Sequence, residues 1–418
     1  MKSWNRRQKN ILFLGLVLLV FLSMPLYMNY LPAPERLGIF FLETDGIRGP
    51  FLRLPLFLHK MGLGIQACCK ISVFCINLAC LAVSFFCFSE VSGNCYAGFA
   101  GSFCYCFSVY YIYINMVRGS LGEMTAFAFL PLYGLGLWRL YTWPPQEKGY
   151  WKSGIPLGIG LLGIWLSCIP VAFIFSGFTL LTALLLAPRT FRRRTFAVLA
   201  LSVCAVMVLT AGLTIPYTEK MLSGNFYADT AAGNSFAARA LLPSQLLLPF
   251  QGNSNYDHEP QDHSGHIGLG LPFLIFIMLW TAREFLEKKK SGSSVRRQIR
   301  FLTGLCAFSA FLCTTAFPWR LLAQSGWPFR ILTEHIGYPW RFLAPAVLSG
   351  SMAVALYGEQ IWKTGKKAMA FFLLGVTVCN VLSGIYLMDS LLYTTEPNPS
   401  YEAEPRCQEA EFIFYISE

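Results

Sequence analysis

Charge is scarce in this chain. Of its 418 residues only 13% are Asp, Glu, Lys or Arg, whereas 55% are hydrophobic, and the mean hydropathy is +0.49. Because soluble proteins carry about 25% charged residues, an ordinary soluble protein is excluded. No large soluble domain fits between the apolar runs. The sequence predicts an all-α, polytopic integral membrane protein.

Patterns typical of metal and nucleic-acid binding are also missing. The chain has five histidines, and none of its fourteen cysteines forms a CxxC pair or a Cys/His metal spacing. All cysteines except Cys407 lie within or beside apolar segments, so we interpret them as small hydrophobic side chains. The net charge of +11 comes from short Lys and Arg clusters. Without a long basic face, no nucleic-acid partner is expected.

The chain does contain about eleven apolar windows of the roughly 20 residues that cross a bilayer. The predicted spans cover about 11–30, 65–88, 95–116, 124–141, two within 154–187 that are separated by a break at 167–170, 196–215, 267–282, 301–317, 342–358 and 368–392. Alternate loops carry the Lys and Arg clusters, as the positive-inside rule requires. We therefore expect a cytoplasmic N-terminus, a transmembrane domain over 1–392 and an extracytoplasmic polar tail over 393–418.

The first predicted outer loop contains two carboxylates and an arginine. Glu43 and Asp45 would lie outside the membrane at the bilayer surface, where a carboxylate can act as acid or base on a lipid-linked substrate. Arg48 is a candidate substrate-binding residue beside them. Residues 51–61 mix apolar and basic side chains and predict a short interfacial helix. The alternative is that these charges only solvate a loop.

More polar groups gather on the predicted outer side. Arg118 and Glu123 are too far apart for an ideal i to i+4 helical pair. We expect them to meet across a turn or to bond other helices, either binding substrate or pinning helices as an ion pair. Arg341 follows Trp340 at the outer mouth of a helix, where its planar guanidinium is placed to clamp a phosphate. The alternative for Arg341 is snorkelling to lipid headgroups.

A polar loop supplies weak candidates for metal ligands. His258, His263 and His266 lie near acidic residues, a composition that suits zinc or manganese. Polar loops accumulate such residues by composition alone, so no metal ligand is assigned. No cofactor is predicted with certainty, and a divalent metal ion stays open.

Three stretches together resemble a known group: residues 118–123 (RGSLGE) followed by Pro131 and Leu132, residues 338–343 (YPWRFL), and the acidic first outer loop with its interfacial helix. They are similar to bacterial YfhO-type and related membrane proteins of the GT-C glycosyltransferase superfamily, over roughly residues 10–392. The resemblance implies a GT-C-like bundle in the cytoplasmic membrane of a bacterium, with membrane lipid and a polyprenyl-phosphate sugar donor as partners.

The resemblance also implies roles for individual residues. Asp45, or Glu43 beside it, would take a proton from an acceptor hydroxyl, while Arg118 or Arg341 holds the donor phosphate. Apart from the resemblance, Trp340 and Glu123 are further candidate substrate-binding residues. This chain departs from the family pattern at Cys168, where related proteins often carry histidine.

The function expected from these features is inverting glycosyl transfer that builds a cell-envelope glycan or modifies a protein. A polytopic transporter or lipid-linked glycan flippase is one alternative, and a degenerate, non-catalytic membrane protein is another. The sequence shows no clear internal repeat, and most of its charges lie at the predicted outer ends of helices. Transporters more often have repeats and ionisable groups near the midplane.

Overall fold

The computed structural model describes residues 10, 14–21, 53–115, 119–222, 236–247, 267–286, 294–324 and 336–394. Within these ranges the chain is almost entirely helical, with an isolated bridge between Leu241 and Thr314 and no β-strand. The predicted all-α class is thus confirmed for the described residues. The predicted tail beyond residue 394 lies outside them.

The labelled helices are α1 (Arg53–Lys60), α2 (Ile65–Ser92), α3 (Cys95–Cys106), α4 (Val109–Tyr113), α5 (Leu121–Thr142), α6 (Gly154–Ser167), α7 (Ile169–Leu185), α8 (Ala187–Thr190), α9 (Arg193–Leu222), α10 (Pro243–Leu247), α11 (Leu271–Leu286), α12 (Ser294–Leu312), α13 (Trp319–Gln324), α14 (Leu343–Thr364) and α15 (Lys366–Thr394). Short 3-10 turns occupy Tyr150–Ser153, Phe236–Arg239 and Pro339–Phe342. Helix α1 matches the helix predicted in the first outer loop.

Four helical segments of the described chain are long and apolar enough to cross a membrane: Ala67–Ser92, Arg193–Glu219, Pro339–Thr364 and Lys366–Ile385. They coincide with the second, seventh, tenth and eleventh predicted spans. Helices α9 and α15 expose large apolar side chains, such as Val208 at 75% and Phe371 at 74%. Large exposed apolar surfaces mark contact with membrane hydrocarbon or with another protein. The two helices therefore support the prediction that this is a membrane protein.

The predicted break in the stretch 154–187 is present. Cys168 is extended, with φ −150° and ψ 105°, and separates α6 from α7. Pro170 follows in the first turn of α7. Backbone N–H groups in the first turn have no partner within the helix, so a proline costs no hydrogen bond there. The two helices therefore turn tightly at this point, as the sequence predicted.

The predicted third span differs from the structure because its helix is interrupted. Helix α3 ends at Cys106, and α4 begins after Ser108. The Ser108 hydroxyl accepts a hydrogen bond from the Tyr111 amide at 3.2 Å. The cap gives a hydrogen-bond acceptor to the Tyr111 amide, which in a continuous helix would bond to a carbonyl of the preceding turn. A capped break therefore replaces the expected uninterrupted helix.

Helix α14 forms the centre of the bundle. In the segment Pro339–Thr364, 89% of the most apolar window is buried, against 17% for the corresponding windows of α9 and α15. Helix α14 packs on α2, α3, α5 and α12. The core thus surrounds α14, whereas α9 and α15 lie at the periphery.

The bundle has two chemically different ends. At one end Arg139 pairs with Glu90, and Arg194 donates to the Pro145 carbonyl at 2.8 Å. We call this the basic end, and the predicted topology places it in the cytoplasm. The other end, which we call the aromatic end, contains the start of α5, the α6–α7 break and the turn before α14.

Helices α5 and α6 pack closely because glycines lie where they meet. A Cβ atom added at Gly160 would lie 2.7 Å from the Cα atom of Tyr133 on α5. Small residues let membrane helices approach to backbone contact. Gly158, two residues earlier on α6, has nothing within 4 Å of such a Cβ atom.

We predict that Gly160→Ala lowers the stability of the protein by about 1–3 kcal/mol, because the added methyl group overpacks this contact. The matched control, Gly158→Ala, should be neutral or slightly stabilising, since alanine favours helix. Thermal unfolding of the two purified variants in detergent measures their stabilities relative to the parent protein. Equal losses in the two variants would contradict the close packing of α5 on α6.

Candidate functional site

A buried ion pair joins the start of α5 to the turn before α14. The Nε atom of Arg341 donates to Oε1 of Glu123 at 2.6 Å, and the two side chains are 9% and 1% exposed. Burying an unpaired charge costs several kcal/mol, so each group depends on the other to occupy this place. The pair fixes two segments that are 218 residues apart in the sequence.

Further groups hold the Arg341 guanidinium. Its Nη1 atom donates to the Ile336 carbonyl at 2.5 Å. The guanidinium carbon lies 5.1 Å from the centre of the Tyr338 ring and 5.9 Å from that of Trp340. Cations at such distances from aromatic faces are attracted by the ring quadrupole. The planar group is thus oriented by a carboxylate, a carbonyl and two rings.

A glycine turn brings the Ile336 carbonyl to this position. Gly337 has φ 70°, in the left-handed region that side chains disfavour. A Cβ atom at Gly337 would also lie 3.1 Å from Nη1 of Arg341. The chain therefore reverses directly against the guanidinium only because residue 337 has no side chain.

A second glycine brings Glu123 to the same place. A Cβ atom at Gly122 would lie 2.8 Å from the Ser167 carbonyl oxygen and 3.8 Å from Cβ of Cys168. The start of α5 therefore lies directly against the α6–α7 break. In the stretch RGSLGE, Gly122 permits the close approach and Glu123 makes the long-range ion pair.

Aromatic side chains surround Trp340, which is 3% exposed. Its ring lies 4.9 Å from Tyr338, 5.9 Å from Tyr113 and 6.2 Å from Tyr110, measured between ring centres. Such aromatic contacts contribute about 0.5–1.5 kcal/mol each beyond the area they bury. The turn before α14 is thus packed onto α4 as well as paired with α5.

The structure brings three of the predicted site residues together: Glu123, Trp340 and Arg341. Of the two alternatives for Glu123, a contact across a turn or a bond to a distant element, the structure shows a bond to a distant element, with Arg341 in the turn before α14 as the partner. The substrate-binding roles of all three residues stay predictions. The remaining candidates lie outside the described residues, namely Glu43, Asp45, Arg48, Arg118, His258, His263 and His266.

Two members of this cluster were missed by the sequence analysis. Tyr338 belongs to the aromatic run before α14 and could have been found from its spacing to Arg341. The Ile336 carbonyl has no sequence signal. Within the described ranges, no group of three or more His, Cys, Asp or Glu residues is placed to hold a metal ion.

Comparisons with known proteins find no matching protein family, no similar curated protein and no similar solved structure. The GT-C resemblance therefore rests on the residues quoted from the sequence.

We predict that Arg341→Met destabilises the protein by about 3–5 kcal/mol, because it leaves the Glu123 carboxylate buried without its partner. The double variant Glu123→Leu/Arg341→Met should recover much of this loss, since it removes both charges. The free energy of unfolding of the parent, the single variant and the double variant is measured in detergent micelles.

The matched control is Lys363→Met, which removes the cation of the more exposed Lys363–Glu359 pair. It should change stability little, as exposed pairs contribute little. An Arg341→Met protein as stable as the parent would show that Arg341 is not a structural partner. It would leave phosphate binding as the stronger role.

Proposed function

We propose that this chain is a glycosyltransferase that uses a polyprenyl-phosphate-linked sugar donor at the outer face of a bacterial cytoplasmic membrane. In this proposal about eleven spans form a GT-C-like bundle with the N-terminus inside. The product is a cell-envelope glycan or a glycosylated protein.

The meeting of Glu123 and Arg341 is the observation that supports this proposal most. Two of the three stretches that resemble the GT-C group contain these residues, and the stretches are separated by two hundred residues of chain. Their side chains nevertheless pair at 2.6 Å at one end of the bundle. Unrelated matches of short motifs would have no reason to converge, whereas parts of a shared site must do so.

The proposal divides the chemistry between the first outer loop and the aromatic end. Asp45, or Glu43, accepts the proton of the acceptor hydroxyl, and a carboxylate that is partly desolvated near lipid is a stronger base. Because Arg341 already donates to Glu123 and to Ile336, we assign it a positioning role. The contact with the donor phosphate is assigned to Arg118.

The reaction is a single displacement. The acceptor oxygen forms a bond to the anomeric carbon as the bond from that carbon to the phosphate oxygen breaks. Polyprenyl phosphate leaves with the electron pair, and a fixed cation stabilises its charge. The proton lost by the acceptor goes to the carboxylate, so one base is sufficient.

A transporter or lipid-linked glycan flippase is the second candidate, and one observation favours it. Helix α3 is interrupted before α4, and Tyr111 beyond the break donates to Oδ1 of buried Asn77 at 2.6 Å. Discontinuous helices with polar partners often line transport sites. The degenerate, non-catalytic protein is the outcome if neither activity is measured.

We predict that Asp45→Asn lowers glycosyl transfer by about 10²–10⁴-fold, the usual contribution of a general base. Labelled polyprenyl-phosphate hexoses in proteoliposomes serve as donors, and release of polyprenyl phosphate is measured. Glu43→Gln, which removes the alternative base two residues away, is measured in parallel. Size-exclusion chromatography checks that each variant is folded.

Full activity in Asp45→Asn with loss in Glu43→Gln would move the base to Glu43. Full activity in both variants would exclude the loop carboxylates from the mechanism. For the transporter, uptake of the same labelled compounds into sealed proteoliposomes without chemical change would replace the transferase assignment.

A further inference from the structure

An apolar cavity lies toward the basic end, away from the Glu123–Arg341 pair. It has a volume of about 430 Å³ and lies between α5, α7, α12 and α14. The volume falls in the range of small-molecule sites, about 300–1,000 Å³. Its lining is mainly aliphatic and aromatic, with Trp138, Phe175, Phe178, Phe301, Leu348 and Met352 among its members.

The depth of this cavity matches one leaflet of a bilayer. Helix α5 lines it from Tyr133 to Thr142, a distance of about 14 Å at the helical rise per residue. Half of the hydrocarbon core of a bilayer is about 15 Å. A single acyl chain, disordered as it is in a bilayer leaflet, therefore matches the cavity in length, whereas a long polyprenyl chain would extend beyond it.

The cavity also reaches the apolar surface of the bundle. Leu185 at the end of α7 belongs to its lining and is 57% exposed. Helices α7 and α12 both line the cavity and each packs on α14. A hydrocarbon chain can enter between them from the membrane.

Cations surround the mouth of the cavity. Arg189 and Arg297 belong to its lining, and an adjoining polar cavity of about 370 Å³ adds Arg192. The two cavities share Tyr141, Thr142, Arg189 and Gln298 in their linings, so the apolar and polar spaces adjoin. The described lining of the two contains no Asp or Glu. The mouth therefore offers positive charge and amide groups to an anion.

Arg297 differs from its neighbours Arg296 and Arg300, which form ion pairs with a carboxylate outside the cavity. Arg296 and Arg300 pair with Glu284 at 2.5 and 2.6 Å. Partial burial alone would raise the pKa of the Glu284 carboxyl, but these two arginines lower it below its ordinary value. Glu284 is thus an ionised partner for Arg296 and Arg300, whereas Arg297 lines the cavity. Arg189 donates to a neutral group, the Tyr141 carbonyl, at 3.3 Å.

We propose that this cavity binds one acyl chain of an anionic glycerophospholipid, whose phosphate lies among Arg189, Arg192 and Arg297. Three observations carry the assignment: an apolar space one leaflet deep, an opening to the apolar surface of the bundle, and a cationic mouth whose described lining contains no carboxylate. In the predicted topology the lipid belongs to the cytoplasmic leaflet. The site is independent of the proposed transferase reaction, which uses the opposite end.

Photolabelling tests this site in the full-length protein. The protein is reconstituted in phosphatidylcholine nanodiscs that contain a small fraction of phosphatidylglycerol with a diazirine near the end of an acyl chain. After irradiation, labelled residues are mapped by mass spectrometry. We expect label on Leu348 and Met352, which are only 5% and 4% exposed and which lipid around the bundle does not reach. Label on α9 and α15 serves as the internal reference.

Two sets of variants, each with a control, test the role of the arginines and of the cavity. Arg189→Gln and Arg297→Gln should each lower the labelling of α14 about fivefold, the effect of one cation near an anionic lipid. Arg193→Gln should not, because Arg193 is exposed in the same basic cluster but lines neither cavity. Leu305→Trp should block labelling by filling the cavity, whereas Phe308→Trp on the same helix should not.

Each contrary result overturns part of the proposal. Label confined to the exposed faces of α9 and α15 would exclude an acyl chain from the cavity. Equal labelling of α14 by a phosphatidylcholine probe would exclude selection by the arginines. Stronger labelling by a polyprenyl-phosphate probe in competition would replace the glycerophospholipid with an isoprenoid lipid.

Discussion

The buried pair of Glu123 and Arg341 is the contact on which the aromatic end depends. It joins α5 to the turn that leads into α14, and α14 is the helix around which the core is packed. Each charge is stable there only because the other is present. Gly337 lets the chain turn directly against the Arg341 guanidinium, and Gly122, next to Glu123, lets the start of α5 approach the α6–α7 break.

This pair changes how the two family-like stretches are interpreted. RGSLGE and YPWRFL supply the two charges of one buried ion pair, so Glu123 and Arg341 hold these stretches against each other. Chemistry on a substrate must then come from groups that are not engaged in this way, which is why the proposal assigns the base to the first outer loop. In the proposed function, the aromatic end forms one wall of the site.

Much of the architecture could be predicted because it depends on local signals. Apolar runs predicted the four helices that are long and apolar enough to cross a membrane, and Pro170 indicated the break at Cys168. The interruption between α3 and α4 could not be predicted, because neither proline nor glycine marks it and Ser108 alone supplies the cap. The partner of Glu123 could not be predicted either, since it is set by tertiary packing across two hundred residues. Arg189 and Arg297 were interpreted as topology signals, and only the structure shows that they line a cavity.

The central place of α14 has a consequence for how the protein is assembled. Four of its partners, α2, α3, α5 and α12, precede it in the chain and are synthesised before it, whereas α15 follows it. Until α14 arrives, the small and polar faces that it later covers have no protein neighbour and must contact lipid or one another. Assembly of the bundle therefore closes around a late helix, and contacts of high sequence separation such as Glu123 with Arg341 form among the last.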